Sequence, residues 1–231
     1  MISIVTSLYK SETHLPAFLK SAQKVHHGLA KQNIQFEHIL VANDFSNQER
    51  MLVGNSGLNF KIITVPRETL YASWNRGTKE SLYEYITFWA VDDLRFTKAF
   101  IEGSANLSKG FQATYFPYIY KRYIYVWGIK ILAMIKVVDP AEYDRELFKV
   151  GMYAGPHFMF TKETFSIVGE FNESFKISGD FDWWSRAAQK NVRIIKTKTL
   201  SGVFNNDGKT LSGSKNDLQK KENDTIIRNV Q

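Results

Sequence analysis

The chain contains no cysteine, which removes disulfides, thiolate metal sites and cysteine nucleophiles together and fits a reducing compartment. No stretch reaches the ~20 apolar residues of a membrane-spanning helix. The opening MISIVTSLYK has neither the basic n-region nor the apolar length of a secretory signal, so we expect a cytoplasmic protein that could at most touch the inner face of the membrane. Repeats and low-complexity segments are missing. The signatures of nucleic-acid-binding modules are missing too, and no nucleic acid is expected as partner. What is present is 44% hydrophobic and 14% aromatic residues in a chain of 231, enough for a full core and too apolar for disorder. Thirty Lys and Arg against 23 Asp and Glu leave a charge of +7, which suits an anionic partner such as a nucleoside diphosphate or an acidic membrane surface.

Residues 85 to 96, YITFWAVDDLRF, join an apolar run to two adjacent carboxylates. The run Tyr85 to Val91 reads as a strand buried on both faces, as in the parallel sheets of α/β proteins. Asp92 and Asp93 would then stand at the carboxyl rim of the sheet, where open α/β sheets bind ligands, and two carboxylates there suit a divalent cation. Turn chemistry alone would also place Asp after a strand.

The remaining chain favours a ligand site. ISIVTSL is a short β-branched run, followed by helical spacing at Leu15, Phe18, Leu19, Ala22 and Val25. Phe36 to Ala42 is a second apolar strand closing on Asn43, Asp44 and Ser46, and FKIITV a third, followed by a helix around residues 70 to 82. This alternation implies an α/β, Rossmann-like, doubly wound and mostly parallel sheet flanked by helices. Thr6 and Ser7, Asp44, and Asp92 with Asp93 all fall at carboxyl ends of strands in that one sheet, as its ligand rule requires.

Between Tyr115 and Trp127 seven aromatics alternate around Lys121 and Arg122, suggesting a hairpin. Three readings stand: a cross-strand aromatic ladder, a wall that binds a sugar acceptor, and a basic amphipathic surface in peripheral contact with a membrane. Further on, HFMF reads as a strand and KETFSIVG as a helix closed by Gly169. Asp180 and Asp182 start a helix that runs to about Lys190, where the macrodipole favours acids with or without a function. From Gly208 the composition turns polar.

In order, VTSLYKS, VANDFS, VDD and SGDFDWWSRA resemble four segments of the inverting nucleotide-sugar glycosyltransferases of family 2, which have the GT-A fold. The resemblance implies a single domain over residues 1–213, its nucleotide-binding half at 1–100 and its acceptor-binding half at 101–213, with 214–231 as a polar tail. By position it implies that Thr6 and Leu8 line the nucleoside pocket, that Asp44 contacts the base, that Asp92 contacts the sugar and ribose side, that Asp93 holds the metal, and that Asp180 deprotonates the acceptor hydroxyl. Trp74 stands where such enzymes often have arginine, and Arg76 is the expected substitute for the donor-phosphate contact. Hard oxygen ligands suit Mn²⁺ or Mg²⁺, with His157 as a candidate nitrogen ligand. The implied donor is a nucleotide sugar, a UDP-sugar first, and the implied acceptor a glycan or lipid-linked saccharide. A sugar nucleotidyltransferase is disfavoured because TSLYKSE lacks a glycine-rich phosphate loop, and a noncatalytic carbohydrate-binding protein remains the other alternative.

Overall fold

The computed structural model describes residues 1–208 and 217–230. The chain runs β1 (Ile2–Leu8), α1 (Leu15–Lys31), β2 (Phe36–Asn43), α2 (Asn47–Gly54), β3 (Lys61–Val65), α3 (Leu70–Lys79), β4 (Tyr85–Phe88), β5 (Leu94–Arg95), α4 (Thr97–Ser108), β6 (Ala113–Tyr115), β7 (Tyr118–Val126) and β8 (Ile129–Val138). A 3-10 turn at Arg145–Lys149 precedes β9 (Phe158–Thr161), α5 (Lys162–Val168), α6 (Gly179–Gln189), β10 (Ile194–Lys196), β11 (Gly202–Asn206) and α7 (Asp217–Val230).

Seven strands form the central sheet in the order β10-β6-β9-β4-β1-β2-β3. All its pairings are parallel except those of β9, which runs antiparallel to β4 and β6. The chain winds outward from β1 through β2 to β3, and then returns to lay β4 on the other side of β1. That reversal makes the crevice beyond the carboxyl ends of β1 and β4 the topological switch point, where sheets of this kind bind ligands. Helices cover both faces, as the sequence implies. One face packs Ile2, Ile4 and Leu8 against Phe18 and Val25 of α1 and Phe100 of α4. The other packs Val5, Phe88 and Phe158 against Tyr71, Trp183 and Trp184.

A second sheet, β5-β11-β7-β8, stands beside the first. Its outer half is a hairpin whose turn is at Trp127–Gly128, both at positive φ (49° and 79°), and not at Lys121 and Arg122, which lie inside β7. The aromatic ladder is partial. Tyr118 and Tyr120 pack on Phe204 of β11, while Tyr123 and Tyr125 face Leu132 and Lys130 across β8.

The strand expected over Tyr85 to Val91 stops at Phe88. Trp89 still donates its N–H to the Val5 carbonyl (2.9 Å), but the chain then turns, and Asp93 N–H closes on the Ala90 carbonyl (3.0 Å). The polar stretch after residue 213 contains α7, which packs on α6 with Ile226 buried; the expected boundary at 213 itself falls outside the described residues.

Candidate active site

The turn after β4 leads into a cleft of about 220 Å³ lined by Asp92, Asp93, Asp207, His14, Lys121, Tyr123 and Lys130 among others. Two distant strands hold this turn. From β11, Asn205 donates its N–H to Asp93 Oδ1 (2.9 Å) and its side-chain amide to the Asp92 carbonyl (2.6 Å). From the residue before β9, His157 brings Nε2 to 3.2 Å from Asp93 Oδ2, while its Nδ1 lies 2.7 Å from Ser201 Oγ. Asp93 is therefore buried, with 2% of its surface exposed, and not a free rim carboxylate.

Burial sets the charges here. It pushes Asp93 up to about 7, against the backbone N–H of Asn205 and the nearby Arg95, and it pushes Asp92 up to about 7 with help from the negative charge of Asp93. His157 is driven well below its ordinary value by burial and then by Arg95, so it is neutral and its contact with Asp93 is a hydrogen bond, not an ion pair. Ser201 Oγ also donates to the Pro117 carbonyl (3.0 Å). One hydroxyl proton cannot serve both acceptors: with Ser201 bonded to Pro117 the neutral imidazole carries its proton on Nδ1 and accepts a hydrogen bond at Nε2 from the protonated Asp93 carboxyl, and with Ser201 bonded to Nδ1 it donates from Nε2 to the ionised Asp93. Arg95 sits in the same pocket of low dielectric, donating Nη1 to the Phe88 carbonyl (2.7 Å) and stacking on Phe100.

Two desolvated carboxylates side by side gain from a cation, and their hard oxygens suit Mg²⁺ or Mn²⁺. Among the described residues no group of three or more His, Asp or Glu side chains is gathered to hold a metal by itself. A cation here would complete its shell with ligand oxygens, as Mg²⁺ does with substrate phosphates. His157 does not fit as a ligand, because both ring nitrogens are engaged and it does not line the cleft. Asp207, overlooked in the sequence, does line it, with Oδ2 at 3.4 Å from Lys130 Nζ.

The other expected donor contacts are spread along the rim. Thr6 and Leu8 are fully buried on the α1 face; Thr6 donates Oγ1 to the Trp89 carbonyl (2.8 Å), Leu8 belongs to the core, and neither is among the residues lining the Asp92–Asp93 cleft. Tyr9 follows the end of β1, and the Arg67 guanidinium lies 4.7 Å above its ring. Asp44 is exposed beside them at φ 45°, its Oδ1 accepting the Arg67 N–H (3.1 Å). Tyr9, Asp44 and Arg67 thus offer a stacking plane and an acceptor, the two elements a nucleobase uses. Arg76 is half exposed on α3, bound to Glu68 (2.8 Å) and not among the residues lining the Asp92–Asp93 cleft, and Trp74 stacks flat on Phe88 (4.1 Å, 5°).

Asp180 opens α6. Its Oδ1 accepts the Phe181 N–H (2.8 Å) and lies 3.5 Å from Tyr71 Oη, and burial raises it to about 6. Tyr71 spends its proton on the Ile177 carbonyl (2.5 Å), and its ring packs so closely on Gly179 that a β-carbon there would come within 2.6 Å. Asp182 is instead paired with Arg186 one turn on (2.8 Å). Sequence reading overlooked the support of this helix start: Glu222 of α7 accepts the backbone N–H groups of Lys176, Ile177 and Ser178 at 2.9 to 3.0 Å. Bonds to a charged acceptor are worth ~1.5 to 3 kcal/mol each. Glu222→Ala is expected to lower stability by about 3 kcal/mol, read by urea unfolding, and to reduce turnover through misplacement of Asp180. A loss under ~0.5 kcal/mol would show that the α7 contact does not hold the loop.

No protein-family model and no curated protein matches the sequence. Solved structures do match. The chain superposes on S. aureus TarS 1-349 in complex with UDP-GlcNAc with a TM-score of 0.66 at 16% identity, covering 99% of this chain and 71% of that one. It matches S. aureus TarS with a TM-score of 0.65 at 17% identity, covering 99% of this chain and 42% of that one. A third match, at TM-score 0.61 and 12% identity over 88% of this chain and 56% of that one, is the mannosyltransferase PcManGT from Pyrobaculum calidifontis in complex with GDP-Man and Mn2+. The fold is GT-A. In the GT-A frame, the Asp92–Asp93 turn follows the strand at the switch point, and Tyr71 near the start of α3 lies 3.5 Å from Asp180 at the start of α6.

Proposed function

We propose that the chain is an inverting glycosyltransferase that moves a sugar from a nucleotide donor, a UDP-sugar first, to a glycan or lipid-linked saccharide. The observation that carries this reading is the Asp92–Asp93 turn, clamped by Asn205 and His157 beside a cleft at the switch point of the sheet. The nucleotide sugars bound in the matched structures, UDP-GlcNAc and GDP-Man, belong to the same donor class.

In this reading residues 1–100 form the donor half, with Tyr9, Asp44 and Arg67 receiving the base, and residues 101–213 the acceptor half. Asp92 and Asp93 would hold Mn²⁺ or Mg²⁺, which supplies neutralisation of the charge that grows on the leaving diphosphate. Lys121 and Lys130 line the same cleft and add positive potential. Asp180 takes the proton of the attacking hydroxyl late in the transition state. Its raised value suits the task, since it is ionised at neutral pH yet more basic than an exposed aspartate.

Calorimetric titration with UDP-GlcNAc and GDP-mannose, each with and without Mn²⁺, tests the donor reading. Binding of at least one donor that needs the cation is expected, with a matching rise in melting temperature; a ligand at a hundredfold excess over its Kd adds ~2.7 kcal/mol. No heat and no thermal shift across a panel of UDP-, GDP- and dTDP-sugars would refute it.

A further inference from the structure

The β7–β8 hairpin exposes far more apolar surface than a soluble rim needs. Among the described residues β8 is the free edge of its sheet, and every residue from Ile129 to Val137 is exposed. At the tip, cross-strand register pairs Ile124 with Ile131 and Val126 with Ile129, so one face of the end is wholly apolar, and Trp127 at the turn is 97% exposed. Nothing in the central core requires these residues, since neither core cluster contains any of them. Contiguous exposed apolar patches of this kind mark interaction surfaces.

Charge decides what covers it. From Tyr118 to Val138 there are four cations, Lys121, Arg122, Lys130 and Lys136, and no acid, within a chain of net charge +7. A second copy pairing edge to edge along β8 would press one cationic hairpin on another with no carboxylate between them. An anionic lipid surface meets both demands: tryptophan and the branched aliphatics sit at the headgroup boundary, and lysines reach lipid phosphates. We propose that the hairpin docks tip-first on an anionic bilayer. Depth is limited, because the unpaired backbone groups of edge strand β8 are costly in hydrocarbon, so the tip rests in the interface and does not cross. Among the described residues no helix is long and apolar enough to cross either. Lys121, Tyr123 and Lys130 of the same hairpin line the Asp92–Asp93 cleft, so docking would hold the cleft beside the lipid surface. That consequence, presentation of a lipid-linked acceptor, rests on the transferase reading; the docking itself does not.

The test is sedimentation with phosphatidylcholine vesicles with and without phosphatidylglycerol, together with quenching of tryptophan fluorescence by brominated lipid. Binding to the phosphatidylglycerol vesicles at least ~10-fold stronger than to the neutral ones is expected, falling at high salt. Lys136→Glu changes two charges and should weaken it by roughly 20-fold, and Trp127→Ser should weaken it several-fold and abolish the quenching. Both positions are surface ones outside the cleft, so donor titration on the same variants should match the wild type. Failure to bind either vesicle, binding indifferent to both substitutions, or a salt-stable dimer of the free chain formed through β8 would overturn the proposal. Loss of donor binding in a chain that still binds vesicles would instead sink the transferase reading and leave the docking intact.

Discussion

Asp180→Asn is expected to cut turnover by ~10² to 10⁴ while leaving donor affinity within a few-fold of the wild type. The substitution keeps the shape at the start of α6 and the Phe181 N–H still has an oxygen to bond, but the group can no longer accept a proton. The pH profile gives the same assignment a second signature. Burial holds Asp180 at about 6 and Asp92 and Asp93 at about 7, so kcat/KM should fall below about pH 7 more steeply than a single group allows, and Asp180→Asn should remove the component near pH 6 and keep the one near pH 7. Asp182→Asn is the control. Its partner is Arg186 on the same helix, so that variant should lose a little stability and keep its chemistry. A wild-type rate in Asp180→Asn would remove Asp180 as the base.

Asp92→Asn should lower cation-dependent donor affinity by ~10²-fold or more, since loss of groups that merely orient metal ligands already costs roughly 10- to 100-fold. Asp92 is the better probe of the pair, because Asp93 is buried and its replacement would also break the contacts to Asn205 and His157. Stability separates a lost ligand from a damaged fold. Asp92 is pushed up to about 7 in the folded protein by burial and then by Asp93, so between its ordinary value near 4 and pH 7 the folded state binds more protons than the unfolded one. Its contribution to stability therefore falls as pH rises through that window. Without metal, Asp92→Asn should melt above the wild type at pH 8, and the gap should close toward pH 5; the neutral histidines titrate in both proteins and cancel in the difference. A variant that melts lower at pH 8 would mean that Asp92 is not a desolvated, repelled carboxylate.

Much of the fold was legible because helix and strand periodicities alternate cleanly from β1 to β4, and parallel strands joined by helices have few ways to wind. The expected α1 stripe of Leu15, Phe18, Leu19, Ala22 and Val25 is buried as read. The extent of β4 was not legible: Trp89 is as buried as a strand residue, but its indole N–H bonds the Asp93 carbonyl across the turn (3.0 Å), and an apolar run looks alike in both settings. Residue roles carried over by position fared differently from strand parity. ISIVTSL puts Thr6 and Leu8 in phase with Ile2 and Ile4 on the α1 face, while Tyr9 lies just past the end of the strand, where alternation no longer applies. The environment of Asp93 could not be read at all, since Asn205 and His157 reach it from 112 and 64 residues away. Glu222 is the same case, a carboxylate in a polar stretch whose three backbone partners lie 44 to 46 residues earlier.

In the proposed reaction Asp92, Asp93 and Asp180 together turn over a nucleotide sugar. Release of nucleoside diphosphate from UDP- and GDP-sugars, followed with and without Mn²⁺ in the wild type, Asp92→Asn and Asp180→Asn, tests it most directly. Cation-dependent release of the diphosphate by the wild type is expected, with water as the default acceptor, and its loss in both variants. Absence of release from every donor, release of pyrophosphate instead, or release at the wild-type rate in both variants would contradict it.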